Sequence, residues 1–185
     1  MDSFCEQLVK RKNTKKIIWI KFVVWAITLG LGIIVAAFFL FLAMKMGLAV
    51  LFVLAAIAMG LSIYMAIKFS RSLNIEYEYS FTNGCFDIDK IASKTNRTRL
   101  VSGDCKNIER YGKYRAKDHE YKVYNKTVTA YSVSDAPGLY YVVLRTPETG
   151  SILVVFEPNE ASLEHIETFM PKNVLMDYKR EEGIR

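Results

Sequence analysis

The side chains able to do chemistry are few and scattered. Asp87 and Asp89 stand two apart on a strand-like run, so they point to one face, as a pair sharing a divalent cation would. Such a pair needs further ligands and usually a phosphate-bearing site, and no glycine-rich phosphate loop accompanies it. The solvated outer face of a strand is the simpler expectation. His119 lies in a charged stretch and His165 on a helix-periodic one beside Glu164, with no serine or cysteine in a nucleophile motif. Cys5, Cys85 and Cys105 lack the close spacing of a zinc or redox motif. An odd, sparse set fits free thiols in a reducing compartment, and Cys5 alone lies near enough to an apolar segment to accept a lipid. The expectation is therefore a chain with no catalytic site, metal or cofactor.

Binding chemistry has more to work with. Lys90, Lys94, Arg97 and Arg99 flank a tight turn, and a basic cluster of this kind can hold an anionic lipid headgroup or orient a domain on an anionic leaflet. An ordinary solvated turn, balanced by nearby acids, is the plainer reading. Tyr111, Tyr114, Tyr121 and Tyr124 dot a polar stretch, where they either pin a loop to a sheet or form a peptide-binding surface. Asn96-Arg97-Thr98 and Asn125-Lys126-Thr127 match the glycosylation acceptor pattern, which carries no meaning on the cytoplasmic side but offers a topology test.

The elements that must position these residues divide sharply in composition. The chain has 185 residues, 51% of them hydrophobic, enough for one domain and a membrane anchor. Ile17 to Ile67 is almost entirely apolar; Phe22 to Met44 and Met46 to Ile67 contain no charge, and Lys45 alone separates them. Each run is long enough to cross a bilayer core, which takes about 20 apolar residues. A turn at Lys45-Met46-Gly47 avoids stranding the ammonium in hydrocarbon and predicts a two-helix hairpin over 17–70. The first apolar run is too long for a signal-peptide core, and Phe38 to Leu42 is too bulky for a cleavage site, so a retained anchor is expected.

Charge sets the orientation. The net charge is +6, and residues 1–70 carry all of it, whereas residues 71–185 hold 17 basic and 17 acidic residues. An excess confined to the hairpin and its flanks argues topology, not nucleic acid. Lys10, Arg11, Lys12, Lys15 and Lys16 precede the first span, Lys21 stands at its edge, and Lys68 and Arg71 follow the second. By the positive-inside rule both termini are cytoplasmic, at the cell membrane. Trp19 and Tyr64 lie near the same interface. The only polar side chains in the spans are Thr28, Ser62 and Tyr64, which argues against a proton or ion path. Ala26 and Gly30 are four apart, as are Ala56 and Gly60, which predicts close helix packing at Gly30 and Gly60. In the basic juxtamembrane segment, 1–16, Phe4 and Leu8, with Cys5 and Val9, have i, i+4 spacing. This predicts a short amphipathic surface helix, with a frayed tail as the alternative.

From Asn74 the period becomes two. Ile75, Tyr77, Tyr79 and Phe81 alternate with polar residues, Asn83-Gly84 makes a hairpin turn, and Phe86 and Ile88 alternate with Asp87 and Asp89. Further strands are expected at Thr98 to Val101, Asn107 to Tyr111, Thr127 to Val133, Leu139 to Arg145 and Ser151 to Phe156, with a long polar loop from Gly112 to Lys126. A helix follows, capped by Asn159, with Leu163, Ile166, Phe169 and Met170 on one face and Pro171 as its stop. A domain over 74–171 results, with a loosely ordered charged tail at 172–185.

Seven strands closed by a terminal helix resemble the pleckstrin-homology-like (PH-like) fold. Tyr77-Glu78-Tyr79-Ser80-Phe81-Thr82-Asn83-Gly84, then Phe86-Asp87-Ile88-Asp89, resembles the opening hairpin of bacterial PH-like domains tethered behind paired membrane helices. The whole chain is similar to an uncharacterised family of short two-span proteins from Gram-positive anaerobes. The resemblance implies an α+β chain, a transmembrane hairpin followed by a mostly antiparallel PH-like roll with a C-terminal helix, and no established activity. The basic set lies one loop later than the headgroup site of lipid-binding relatives. The expected role is a non-enzymatic, membrane-anchored interaction module with a membrane or cytoplasmic protein partner. An anionic-lipid surface sensor and a membrane-tethered enzyme with a hidden site are the alternatives.

Overall fold

The computed structural model describes residues 4–183. The chain divides into a helical unit, Asn13–Asn74, and a β-rich unit built from the residues up to Lys12 and from Ile75 onward.

The helical unit is an antiparallel pair, α1 (Lys15–Met46) and α2 (Val50–Ser72). At 1.5 Å per residue these are about 48 and 35 Å long, against a hydrocarbon core of about 30 Å. Both are long and apolar enough to cross a membrane, and their most apolar stretches are only 17% and 11% buried, the reverse of a soluble core helix. Gly47, at φ +67°, closes α1 in the left-handed region and its N–H bonds the Ala43 carbonyl at 2.9 Å. This is the reversal expected beside Lys45.

The helices meet along a different seam from the expected one. A Cβ added at Gly30 or Gly60 would meet nothing within 4 Å, whereas one at Gly32 would fall 2.4 Å from Ser62 Oγ. Gly32, Ala36 and Ala43 are the buried small residues of α1, and Ala55 and Ala66 those of α2. Small residues four apart do line the seam, but at Gly32/Ala36 and Ser62/Ala66, six residues further on than Ala26/Gly30 and Ala56/Gly60. Polar pairs on the seam decide the rotation. Ser62 Oγ donates to the Thr28 carbonyl at 2.5 Å, and Trp25 Nε1 donates to Ser70 Oγ at 2.8 Å. In an apolar surround such groups gain by finding each other. At the open end Lys21 Nζ donates to Asn13 Oδ1 and Asn74 Oδ1, at 3.0 and 2.8 Å.

The β-rich unit has two four-stranded sheets. In the first the order is β1 (Phe4–Lys10), β2 (Ile75–Thr82), β3 (Cys85–Ala92), β4 (Asn96–Asp104), antiparallel throughout. In the second it is β5 (Ile108–Lys113), β7 (Tyr140–Thr146), β8 (Gly150–Phe156), β6 (Lys126–Ala130), with β6 parallel to β8. The seven expected strands are all present. Asn83 and Gly84 take positive φ in the first hairpin turn, as do Ser93 and Lys94 in the second. Tyr79, Phe81, Phe86 and Ile88 from the first sheet pack on Val142, Leu144, Val154 and Phe156 from the second. Helix α3 (Glu160–Phe169) closes this core with Ile166, and Asn159 caps it by accepting from the Ser162 N–H at 2.8 Å.

Two expectations are corrected. Residues 4–10 of the juxtamembrane segment are neither a surface helix nor a tail. They form β1, an eighth strand paired from Phe4↔Thr82 to Lys10↔Glu76. Val9 joins the core, and Gln7 Oε1 accepts from the Asn159 N–H at 2.8 Å and from Ser162 Oγ at 2.9 Å, while its Nε2 donates to the Glu157 carbonyl at 2.9 Å. Gln7 thus satisfies groups at the start of α3 that no local residue serves. Residues 1–3 of that segment lie outside the described ones. The expected tail is also ordered as α4 (Lys172–Glu181), because Val174 and Tyr178, four apart, are buried against the sheets. Residues 184–185 lie outside the described ones. The helical hairpin is therefore an insertion between two paired strands of the β-rich unit.

Candidate functional site

Two surfaces of the β-rich unit gather the side chains singled out by type and spacing. The first is the outer face of the first sheet. Alternation sends Tyr77, Tyr79 and Phe81 inward and Glu76 and Glu78 outward, and across β3 it does the same to Phe86 and Ile88 against Asp87 and Asp89. The bulge between Ile88 and Asp89 brings Arg97 and Arg99 of β4 over these carboxylates. Arg97 lies 2.5 Å from Glu78 and 3.9 Å from Asp89; Arg99 lies 3.3 Å from Asp89 and 3.8 Å from Asp87. Burial pushes the Glu78 carboxyl up, its hydrogen bond with Glu6 adds to this, and the Arg97 guanidinium opposes both.

This arrangement engages the two arginines of the expected basic cluster with acids. Arg97 and Arg99 are neutralised by three acids on one face. Lys90 alternates to the side of Phe86 and Ile88, and Lys94 is an exposed turn residue. Asp87 and Asp89 do share a face, but their partners are guanidinium groups, and no group of three or more potential metal-ligating residues occurs among the described residues. Asp87 Oδ1 is buried without a hydrogen-bond partner.

The second surface is the outer face of the second sheet. Strand β8 is buried on both sides: Ile152, Val154 and Phe156 enter the main core, while Leu153 and Val155 join Val143 in a second cluster under Tyr114, Tyr124, Tyr131 and Tyr141. The segment between β5 and β6, with a 3-10 turn at Ala116–His119, folds over that cluster. His119 is its keystone. Its ring stacks on Tyr114 at 5.4 Å, meets Tyr141 edge-on at 4.3 Å, and its Nδ1 is 2.8 Å from the Tyr124 hydroxyl. Nε2 is buried without a partner, and burial lowers the imidazole below its ordinary value, with Lys122 adding to the shift. Beside it opens a shallow cleft of about 720 Å³, lined by Tyr114, His119, Tyr124, Thr127 and Leu153 among others. Val123, which lines it, is 97% exposed, and Tyr121 in the same segment is 90% exposed. Of the four tyrosines in this stretch, Tyr114 and Tyr124 pin the loop, Tyr121 is free at the surface, and Tyr111 is a core residue bonded to Glu167 at 3.1 Å.

His165 belongs to neither surface. It is buried between Phe81 and Phe169, at 5.6 and 4.8 Å between ring centres, with the Gly84 N–H 3.4 Å from Nε2. Cys105 is likewise a core residue, its thiol pushed up to about 12 by burial, whereas Cys85 is exposed and Cys5 half-buried 3.8 Å from Ser162 Oγ. The residue that sequence reasoning missed is Gln7. Nothing in its neighbourhood marks it, since its partners lie some 150 residues on.

The family described as "Bacterial PH-like domain (DUF6106)" matches residues 1–176. No curated protein and no solved structure matches the chain. The match begins before β1 and runs through the hairpin into α4, so strand, insertion and sheets are parts of one family pattern. The chain belongs to this family of bacterial PH-like domains, in an α+β arrangement of two apolar helices, two sheets and C-terminal helices.

Proposed function

We propose that the protein is a two-span membrane protein that holds its PH-like domain at the cytoplasmic face of the cell membrane as a non-catalytic docking module for another protein. One observation carries this reading. The apolar hairpin is inserted between β1 and β2, and both connections leave the domain side by side, where the Arg11 N–H bonds the Ile75 carbonyl at 3.0 Å. A domain tied at two adjacent points has less rotational freedom than one on a single linker, and confinement to a surface raises its effective concentration for other membrane proteins. The basic residues Lys10, Arg11, Lys12, Lys15, Lys16, Lys21, Lys68 and Arg71 all flank that junction, which supports the cytoplasmic orientation.

A protein partner is favoured over a lipid headgroup because Arg97 and Arg99 already have carboxylate partners. The cleft beside His119, lined by the exposed Val123, and the exposed Tyr121 of the same segment offer the aromatic and apolar surface that protein interfaces use. A non-catalytic role is favoured because both histidines are engaged in packing. The test compares the full-length protein with Tyr121→Ala/Val123→Ala and Lys90→Ala/Lys94→Ala forms, in crosslinking from native membranes and in vesicle binding. Loss of one specific crosslinked protein in the first variant supports the reading. Crosslinks indifferent to that variant, with vesicle binding that weakens in the second, would transfer the role to lipid recognition.

A further inference from the structure

The free edge of β1 is complementary to itself. Because the Arg11 N–H bonds the Ile75 carbonyl and Arg11 stands opposite Ile75 in the register, the odd residues Cys5, Gln7 and Val9 direct their backbone groups to β2. The amides and carbonyls of Phe4, Glu6, Leu8 and Lys10 therefore face away from the sheet, along its edge. The same alternation places their side chains on the outer face, where Phe4 and Leu8 are 63% and 50% exposed. The strand thus shows its larger apolar side chains to solvent and keeps Cys5 and Gln7 on its inner side. Lys12 confirms the direction, since its N–H points off the edge to the Ser132 carbonyl at 3.1 Å and closes the edge at that end. What stays open is Glu6 to Lys10.

We infer that this edge pairs with the same edge of a second copy of the chain, antiparallel about a two-fold axis at Leu8, to join the two first sheets into one. In that register Leu8 faces Leu8 of the second copy, and each Glu6 faces a Lys10. All three pairs are of the hydrogen-bonded kind, so six N–H···O=C bonds form between edges that otherwise bond only water. Neighbouring registers fail on charge or shape. Centring on Glu6 opposes two carboxylates, and centring on Gln7 sets Glu6 against Leu8. The surrounding charge favours the arrangement. The outer face holds Glu6, Glu76, Glu78, Asp87 and Asp89 against Lys10, Arg97 and Arg99, and Glu6 and Glu78 are diagonal neighbours across β1 and β2. Glu78 of this pair is met by Arg97, whereas no ion pair reaches Glu6 among the described residues, so an incoming Lys10 supplies the cation that Glu6 lacks, while the resident Lys10 is held only loosely, 3.8 Å from Glu76 and 70% exposed. A second copy is a better occupant than an unrelated strand because one seven-residue segment provides both halves of the match.

The test uses full-length protein carrying donor or acceptor fluorophores, reconstituted in vesicles over a range of protein-to-lipid ratios. Energy transfer above random crowding reads association. Glu6→Lys and Lys10→Glu each turn both symmetry-related pairs from attractive to repulsive, and each is expected to raise the density for half-association about tenfold. Mixing the two variants restores opposite charges at both pairs, so transfer between a Glu6→Lys donor and a Lys10→Glu acceptor should return to the wild-type density. Circular dichroism of each variant checks that the domain is folded. Wild-type protein that never exceeds random transfer would overturn the inference. Association indifferent to both reversals, as contact through the helices alone would give, would also overturn it, and so would mixed variants that associate no better than either one.

Discussion

Tyr79 shows how one side chain holds the two sheets together. Its ring is fully buried, and its hydroxyl donates to the Ala130 carbonyl while accepting from the Glu157 N–H at 3.2 Å. Tyr79→Phe keeps the ring and strands two backbone groups, so it should cost about 1–3 kcal/mol in a denaturant titration. Gln7→Ala leaves three partners unserved and should cost a similar amount, about 1–3 kcal/mol, although Gln7 lies on an edge strand. The histidines make stability depend on pH. Burial lowers both His119 and His165 below 6.5, so the unfolded chain takes up protons first. Stability should hold above the ordinary imidazole value and fall as pH drops through it toward the folded-state values, with a shallower fall in His165→Phe. Melting curves between pH 7.5 and 5.5 read this directly. At this scale the sequence was legible only where neighbours decide the outcome. Asp87 and Asp89 share a face because of strand alternation, but that Arg97 and Arg99 cover them depends on a bulge that spacing does not reveal.

Among the elements, the strands after Asn74 were readable because each carries its own alternation and turn chemistry. Strand β1 was not. Its outward Phe4 and Leu8 are apolar and its inward Gln7 is polar, so the period-two signal is inverted, and the four-residue spacing imitates a helix. The pairing with β2 crosses more than sixty residues of insertion, and only tertiary contacts resolve the conflict. Helix α4 was hidden by its charges, since few of its residues are apolar; Val174 and Tyr178 are buried in the core and Leu175 packs beside them. In the hairpin the expected motif was right in kind and displaced in register, because Ser62 and Trp25 seek polar partners that apolar spacing cannot weigh. Gly32→Leu should therefore force the helices apart, whereas Gly30→Leu should be tolerated. Proximity between cysteines placed at opposite ends of the seam, measured by spin-label distances in vesicles, separates the two cases.

At the level of the whole molecule, a β-domain is interrupted by an apolar hairpin, and the domain is incomplete without the strand that precedes the interruption. Composition revealed the two units, because their charge and hydropathy differ so sharply, but it suggested that one follows the other. Insertion of the apolar hairpin means that the domain depends on a strand from before it, and this is the central claim to test. Two soluble forms decide it. In one, residues 13–74 are replaced by an Asn-Gly turn, so that β1 and β2 become an ordinary hairpin; in the other, the chain simply begins at Ile75. The first should be soluble, monomeric at low concentration and cooperative in thermal unfolding. The second loses the Gln7 clasp on α3 and the Val9 packing, and should be less stable by several kcal/mol, of the order expected for losing a core strand's burial and hydrogen bonds, about 3–5 kcal/mol. Equal stability of the two forms would contradict the insertion and leave residues 4–10 as a mere leader to the membrane.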